Sequence, residues 1–129
     1  MTTYDLVLWA HLLAAAVWTG GLIVLGFLVA AIRKQTDDVE VLRAMARRFG
    51  VVSWTAMAIA ITAGIWMYTE LGLPWRDFEL KGGLIVLAVI LAAVHQFTAE
   101  RTSPAVRGIL QLAILIVSVG IFGAAVALI

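Results

Sequence analysis

The sequence predicts an all-α membrane protein, a four-transmembrane-helix bundle, and three observations carry that expectation. Of the 129 residues, 64% are hydrophobic and only 13% charged, with a mean hydropathy of +1.06. A soluble domain of this size cannot bury so much apolar surface, so its main solvent must be lipid. Four long apolar runs recur, separated by short polar segments. The first, DLVLWAHLLAAAVWTGGLIVLGFLVAAI from Asp5 to Ile32, has no Asp, Glu, Lys or Arg after Asp5. About 20 apolar residues suffice to cross about 30 Å of hydrocarbon.

Helix 1 is expected over 6–32. The polar segment RKQTDDVE follows, and Asp37 or Asp38 is placed to cap a helix starting near Val39. That helix begins amphipathic, as VLRAMARRF, and becomes a span over 49–68. The loop from Thr69 to Leu80 contains Gly72, Pro74 and Trp75, which break the helix and set it at an interface. Helix 3 follows over 79–98, then the turn AERTSPAVRG with Pro104 as punctuation, then helix 4 over 106–128. One compact transmembrane domain, 1–129, is the expectation. The N-terminus lacks a basic leader region and its apolar run is too long for a signal-peptide core, so it reads as a retained helix.

Basic residues give an orientation. Arg33, Lys34, Arg43, Arg47, Arg48, Arg101 and Arg107 fall on one side, against Arg76 and Lys81 on the other. By the positive-inside rule both termini face away from the cytoplasm, in a multi-pass protein of the cytoplasmic (inner) membrane. Trp9, Trp66, Tyr68 and Trp75 then cluster at the outer interface, as an aromatic belt does. A short internal echo, GGLIVL, occurs at Gly20–Leu25 and again at Gly82–Leu87, as a duplicated helical hairpin would leave.

Several function classes drop out. The chain has no cysteine, which removes disulfides, thiolate metal sites, iron–sulfur clusters and cysteine nucleophiles. The acids Asp37, Asp38, Glu40, Glu70, Asp77, Glu79 and Glu100 fall in loops or at span ends, which disfavours a carboxylate proton relay across the bilayer. No phosphate loop or nucleophile–base pair is visible. The collar of Arg43, Arg47 and Arg48 reads as membrane anchoring and contact with anionic lipid, not as a nucleic-acid surface.

The chemistry-bearing residue is His11, an ionisable group inside the first apolar run and therefore a functional candidate. It lies roughly 8 Å inside the outer end of helix 1, whereas His95 lies roughly 24 Å along helix 3. That separation rules out a bis-histidine site within one protomer. Level with His11 by residue count are Gly64, Trp66 and Met67 of helix 2, Lys81, Gly82 and Gly83 of helix 3, and Gly120 and Gly123 of helix 4. On helix 1, His11, Ala14, Ala15, Trp18 and Gly21 share a face. An imidazole, a thioether and an ammonium in a glycine-rich layer can admit a flat ligand such as a porphyrin. Close packing of small residues, with one histidine hydrogen-bonded across helices and no ligand, is the alternative. Lys81 can instead snorkel to the headgroups. His95, level with Ser53, Thr55 and Gln111, is expected in an inner hydrogen-bonded cluster.

Three short motifs carry a family resemblance. The His11…Trp18-x-Gly20-Gly21 pattern, the Arg47-Arg48-Phe49 entrance with Ala63-Gly64, and the Leu80-Lys81 start of helix 3 resemble the copper-resistance D (CopD) membrane family. A more distant likeness is to HemJ, the membrane protoporphyrinogen oxidase family, which binds haem b. The resemblance implies a prokaryotic membrane protein with His11 and Lys81 at the positions of that family's helix-1 histidine and helix-3 lysine. HemJ-type chains place a histidine sooner after that lysine than His95 stands here, so its role does not transfer.

In the haem b reading, His11 is an axial ligand, Met67 the second ligand, and Lys81 pairs with a propionate, with Trp18, Gly21, Gly64 and Gly83 lining the site. The function is then redox or electron transfer, with membrane oxidoreductase activity left open. Two alternatives stand beside it. One is a CopD-like copper transport or resistance module with His11 and Met67 as metal ligands. The other is an accessory subunit of a larger membrane complex without its own cofactor. Glycine-rich faces also suit a homo-oligomer.

Overall fold

The computed structural model describes residues 1–98 and 101–127. Glu100 and Leu128, the expected loop acid and the expected end of helix 4, lie outside them. Every regular element among the described residues is helical: α1 (Thr3–Gln35), α2 (Val39–Glu70), a 3-10 turn (Trp75–Phe78), α3 (Glu79–Phe97) and α4 (Pro104–Ala127). All four α-helices are long and apolar enough to cross a membrane, which is compatible with a multi-pass membrane protein. At most 17% of the most apolar window of any span is buried by protein. Phe27, Phe97, Ile109 and Val126 are each at least 67% exposed. Water would oppose that exposure at about 25 cal/mol per Å²; hydrocarbon does not.

The chain packs as two compact units, Met1–Leu73 and Pro74–Ile129. In the first, α1 runs antiparallel to α2, joined through Thr36–Asp38. The helices extend past the apolar cores read from hydropathy because their ends are capped by polar groups. Thr2 accepts a hydrogen bond from the Asp5 amide (3.1 Å), and Asp5 Oδ2 accepts from the Thr2 amide (2.8 Å), a reciprocal capping box. Arg33 and Lys34 occupy the last turn, where the helix dipole favours cations. Of the two aspartates expected to cap α2, Asp38 does so, accepting from the Glu40 amide at 3.0 Å. The Arg43–Glu40 pair (3.0 Å) is solvent-exposed and adds little. Gly72, at φ +63°, takes the left-handed position that ends α2.

Removing the first cap gives a direct check. Thr2→Ala should raise hydrogen exchange of the first-turn amides about fivefold, with the middle of α1 unaffected. Unchanged exchange at Asp5 and Leu6 would count against the cap.

Contacts at three levels fix the register of the first hairpin. The Tyr4 and Trp66 rings lie 6.4 Å apart at its open end. His11 meets Ala60 one level further in, and Gly21 faces Phe49 towards the connection. The face of α1 that packs carries buried Ala14 and Trp18, two members of the expected stripe, and Leu22, one turn beyond Trp18; His11, Ala15 and Gly21 are half-buried.

In the second unit, the 3-10 turn sets Trp75 edge-on to Phe78 (centroids 5.9 Å, 84°). A Cβ on Gly82 would lie 3.1 Å from the Phe78 ring, so that glycine seats the aromatic pair at the start of α3. The α3–α4 hairpin is built on small residues, with Ala88 and Ala92 buried on α3 and Ile114, Ser118 and Ala124 on α4. Helix α4 starts two residues earlier than expected. Pro104 is its first residue, where a missing N–H is harmless, and the Ser103 hydroxyl accepts from the Val106 amide at 3.3 Å. The two GGLIVL copies pack differently: Gly21 and Gly82 meet rings, while Gly20 and Gly83 have nothing within 4 Å of a Cβ. The echo does not extend to equivalent contacts.

Candidate functional site

The site in the first hairpin is built around one long-range polar contact. His11 Nδ1 lies 2.7 Å from the carbonyl oxygen of Ala60. A carbonyl only accepts, so Nδ1 carries the proton, and in the neutral ring the lone pair falls on Nε2. Ala60 is in the middle of α2, where its carbonyl also serves the helix ladder. A carbonyl has two lone pairs and can take both bonds.

Gly64 makes this contact sterically feasible. A Cβ there would lie 3.0 Å from His11 Cε1 and 3.4 Å from Nδ1. The glycine is one turn from Ala60 on the same face of α2, so its missing side chain is the notch through which the imidazole reaches the carbonyl. The volume at Gly64 therefore belongs to His11 itself. Gly21 is used in the same way, since its Cβ would lie 2.9 Å from Phe49 Cε2.

Ala60, Gly64 and Met67 are spaced along one face of α2. Met67 is 8% exposed and lies about 5 Å along the axis from Gly64. Trp18 is 6% exposed, two turns along α1 from His11 in the direction of the connection. The first hairpin thus brings His11 against Ala60 and Gly64. Met67 lies one turn beyond Gly64 towards the open end, next to the level where Trp66 meets Tyr4, and Trp18 and Gly21 continue along α1 towards the connection. Lys81 and Gly83 belong to the second unit. Lys81 is half-buried in the first turn of α3, and Gly83 is exposed.

Comparison with known proteins gives no match. No family model matches the chain, nor does any curated protein or solved structure. Among the described residues no group of three or more His, Cys, Asp or Glu side chains could hold a metal ion.

Sequence reasoning missed Ala60, whose contribution is a main-chain carbonyl and leaves no side-chain signal. The only trace of it is a glycine four residues later. Of the residues expected in an inner cluster, His95 and Gln111 belong to the second unit and Ser53 and Thr55 to the first. His95 Nδ1 and Gln111 Nε2 are buried without a hydrogen-bond partner among the described residues, and in the first unit the Thr55 hydroxyl donates within its own helix to the Val51 carbonyl at 2.7 Å.

Proposed function

We propose that this chain is a haem b-binding electron-transfer protein of the cytoplasmic (inner) membrane. Its four spans form one bundle, both termini lie on the non-cytoplasmic side, and His11 is an axial ligand near the outer leaflet. The observation that carries this reading is the 2.7 Å contact between His11 Nδ1 and the Ala60 carbonyl. Metal-ligating histidines almost always donate their other ring N–H to a carbonyl or carboxylate, which fixes the tautomer and makes the ligating nitrogen more basic. The donor set fits a haem better than copper. One oriented imidazole suffices for an axial position, whereas Cu(I) favours several sulfur ligands.

Bound haem would supply a one-electron carrier whose potential depends on axial ligand and burial. With its proton held at Nδ1 by the Ala60 carbonyl, His11 would hold the haem iron through Nε2. Gly64 and Ala60 keep the ring in that orientation. Met67, buried on the same face of α2, is the candidate second ligand, and Lys81 is the candidate partner for a propionate. The likeness to CopD and HemJ chains at His11 and Lys81 supports the same assignment.

The test is an absorption spectrum of the detergent-purified full chain expressed with haem supply, oxidised and dithionite-reduced, with iron and copper quantified on the same sample. A Soret band with sharp reduced α and β bands, abolished in His11→Ala, is the expected result. A Soret band that survives His11→Ala would overturn the ligand assignment. Bound copper without porphyrin would favour a copper-handling module. With neither, His11 serves as a helix-to-helix tie and a partner complex becomes the better reading.

A further inference from the structure

The second hairpin holds a polar cluster that the haem reading does not use. Its register follows from Leu84 and Gly120: a Cβ on Gly120 would lie 3.7 Å from Leu84 Cδ1. About three turns along each helix from that level, His95 of α3 falls between Arg107 and Gln111 of α4. Arg107 and Gln111 are four residues apart and share a face. The Arg107 guanidinium is close enough to His95 to act on it electrostatically.

At this level three side-chain nitrogens, His95 Nδ1, Arg107 Nε and Gln111 Nε2, are buried with no hydrogen-bond partner among the described residues. Native proteins keep few such groups, and three on facing helices call for a common explanation. Nearby hydroxyls are turned elsewhere: Thr98 donates to the Val94 carbonyl and Thr102 to the Thr98 carbonyl at 3.0 Å. Guanidinium and amide nitrogens only donate, and imidazole Nδ1 donates when it carries the proton. The complement is a compact anion with several acceptor oxygens. A tetrahedral phosphate offers one oxygen to each donor, whereas a single water accepts only two hydrogen bonds. Position agrees, because α3 ends at Phe97, just past His95, at the depth where headgroups begin.

We propose that His95, Arg107 and Gln111 form a binding site for one phosphate group, carried by an acidic phospholipid or present as free inorganic phosphate. The detergent-solubilised full chain is titrated calorimetrically with short-chain phosphatidylglycerol, with the matching diacylglycerol that lacks phosphate, and with inorganic phosphate. Wild type should bind at least one phosphate-bearing probe and not diacylglycerol. Binding of phosphatidylglycerol alone identifies a lipid site, binding of phosphate alone a soluble-anion site, and mutual competition a shared one.

Arg107→Gln and Gln111→Leu should each weaken that binding about tenfold. Arg101→Gln, which removes the same charge from an exposed turn, should change it less than twofold. Gln111→Leu guards against misfolding: it removes no charge, and replacing a buried unpartnered amide by an apolar group should leave the thermal midpoint of the unliganded protein unchanged or raised. Failure of wild type to bind either phosphate probe, or equal losses in Arg101→Gln and Arg107→Gln, would overturn the proposal.

Discussion

Gly64→Leu should destabilise the first hairpin by about 2–3 kcal/mol, measured by reversible unfolding of the full chain in mixed micelles. A glycine in mid-helix is ordinarily a weak point, and replacing it by a good helix former gains about 1 kcal/mol. Here the sign reverses because the space is taken. A Cβ at position 64 would stand 3.0 Å from His11 Cε1, and that ring cannot swing aside without giving up the Ala60 carbonyl. Overpacking contributes about 1–3 kcal/mol, and a helix-to-helix polar contact in a membrane about 0.6–1.7 kcal/mol. The check is a double-mutant cycle. In a His11→Ala background the same leucine should lose most of its penalty, a coupling above about 1 kcal/mol. Additive effects would mean that Gly64 and His11 act independently. If His11 ligates haem, Gly64→Leu should also remove the Soret band, because the ring loses its orienting carbonyl.

This site shows how far residue order could lead. His11 stood out because an imidazole in an apolar run is expensive in lipid, and counting residues along antiparallel helices put Gly64 at its depth. Gly64 does meet the imidazole. The same hairpin, however, sets Trp66, counted to the same depth, against Tyr4, about 10 Å further along α1, and puts Ala60 opposite His11. Hidden from the sequence was what the glycine is for. Small residues suit a flat ligand or an incoming ring equally well, and only side-chain direction separates the two. At Gly64, Gly21 and Gly82 an imidazole, Phe49 and Phe78 fill the space. Ala60 was invisible because its acceptor is main-chain. The helix ends were missed for a different reason. Hydropathy marks only the part of a helix that lies in hydrocarbon, whereas α1 and α4 begin at caps made by Thr2, Asp5 and Ser103. Around His95, depth told which polar groups are buried but not what they bond: among the described residues His95 Nδ1 and Gln111 Nε2 have no hydrogen-bond partner.

Gly21→Leu should destabilise the same hairpin by about 1–2 kcal/mol, less than Gly64→Leu, and Phe49→Ala should rescue it. The apparent clash is tighter here, 2.9 Å to Phe49 Cε2 and 3.1 Å to Cζ. Distance alone would therefore rank Gly21 as the more sensitive position. Freedom of the neighbour reverses that order. The atoms met are the far edge of a half-buried phenyl ring near the start of the second span, and no hydrogen bond holds a phenyl ring in place. It can rotate outward, losing dispersion contacts with α1 but no polar partner. Gly20 supplies the control, because a Cβ there meets nothing within 4 Å, so Gly20→Ala should be neutral or stabilising by up to about 1 kcal/mol. In Phe49→Ala the ring is gone, and Gly21→Leu should then approach Gly20→Ala in effect. If Gly21→Leu instead proves costlier than Gly64→Leu, packing at Phe49 and not the His11–Ala60 bond is the main tie between α1 and α2. His11 would then be less constrained than an axial ligand requires, so this ranking also tests the orientation on which the haem assignment depends.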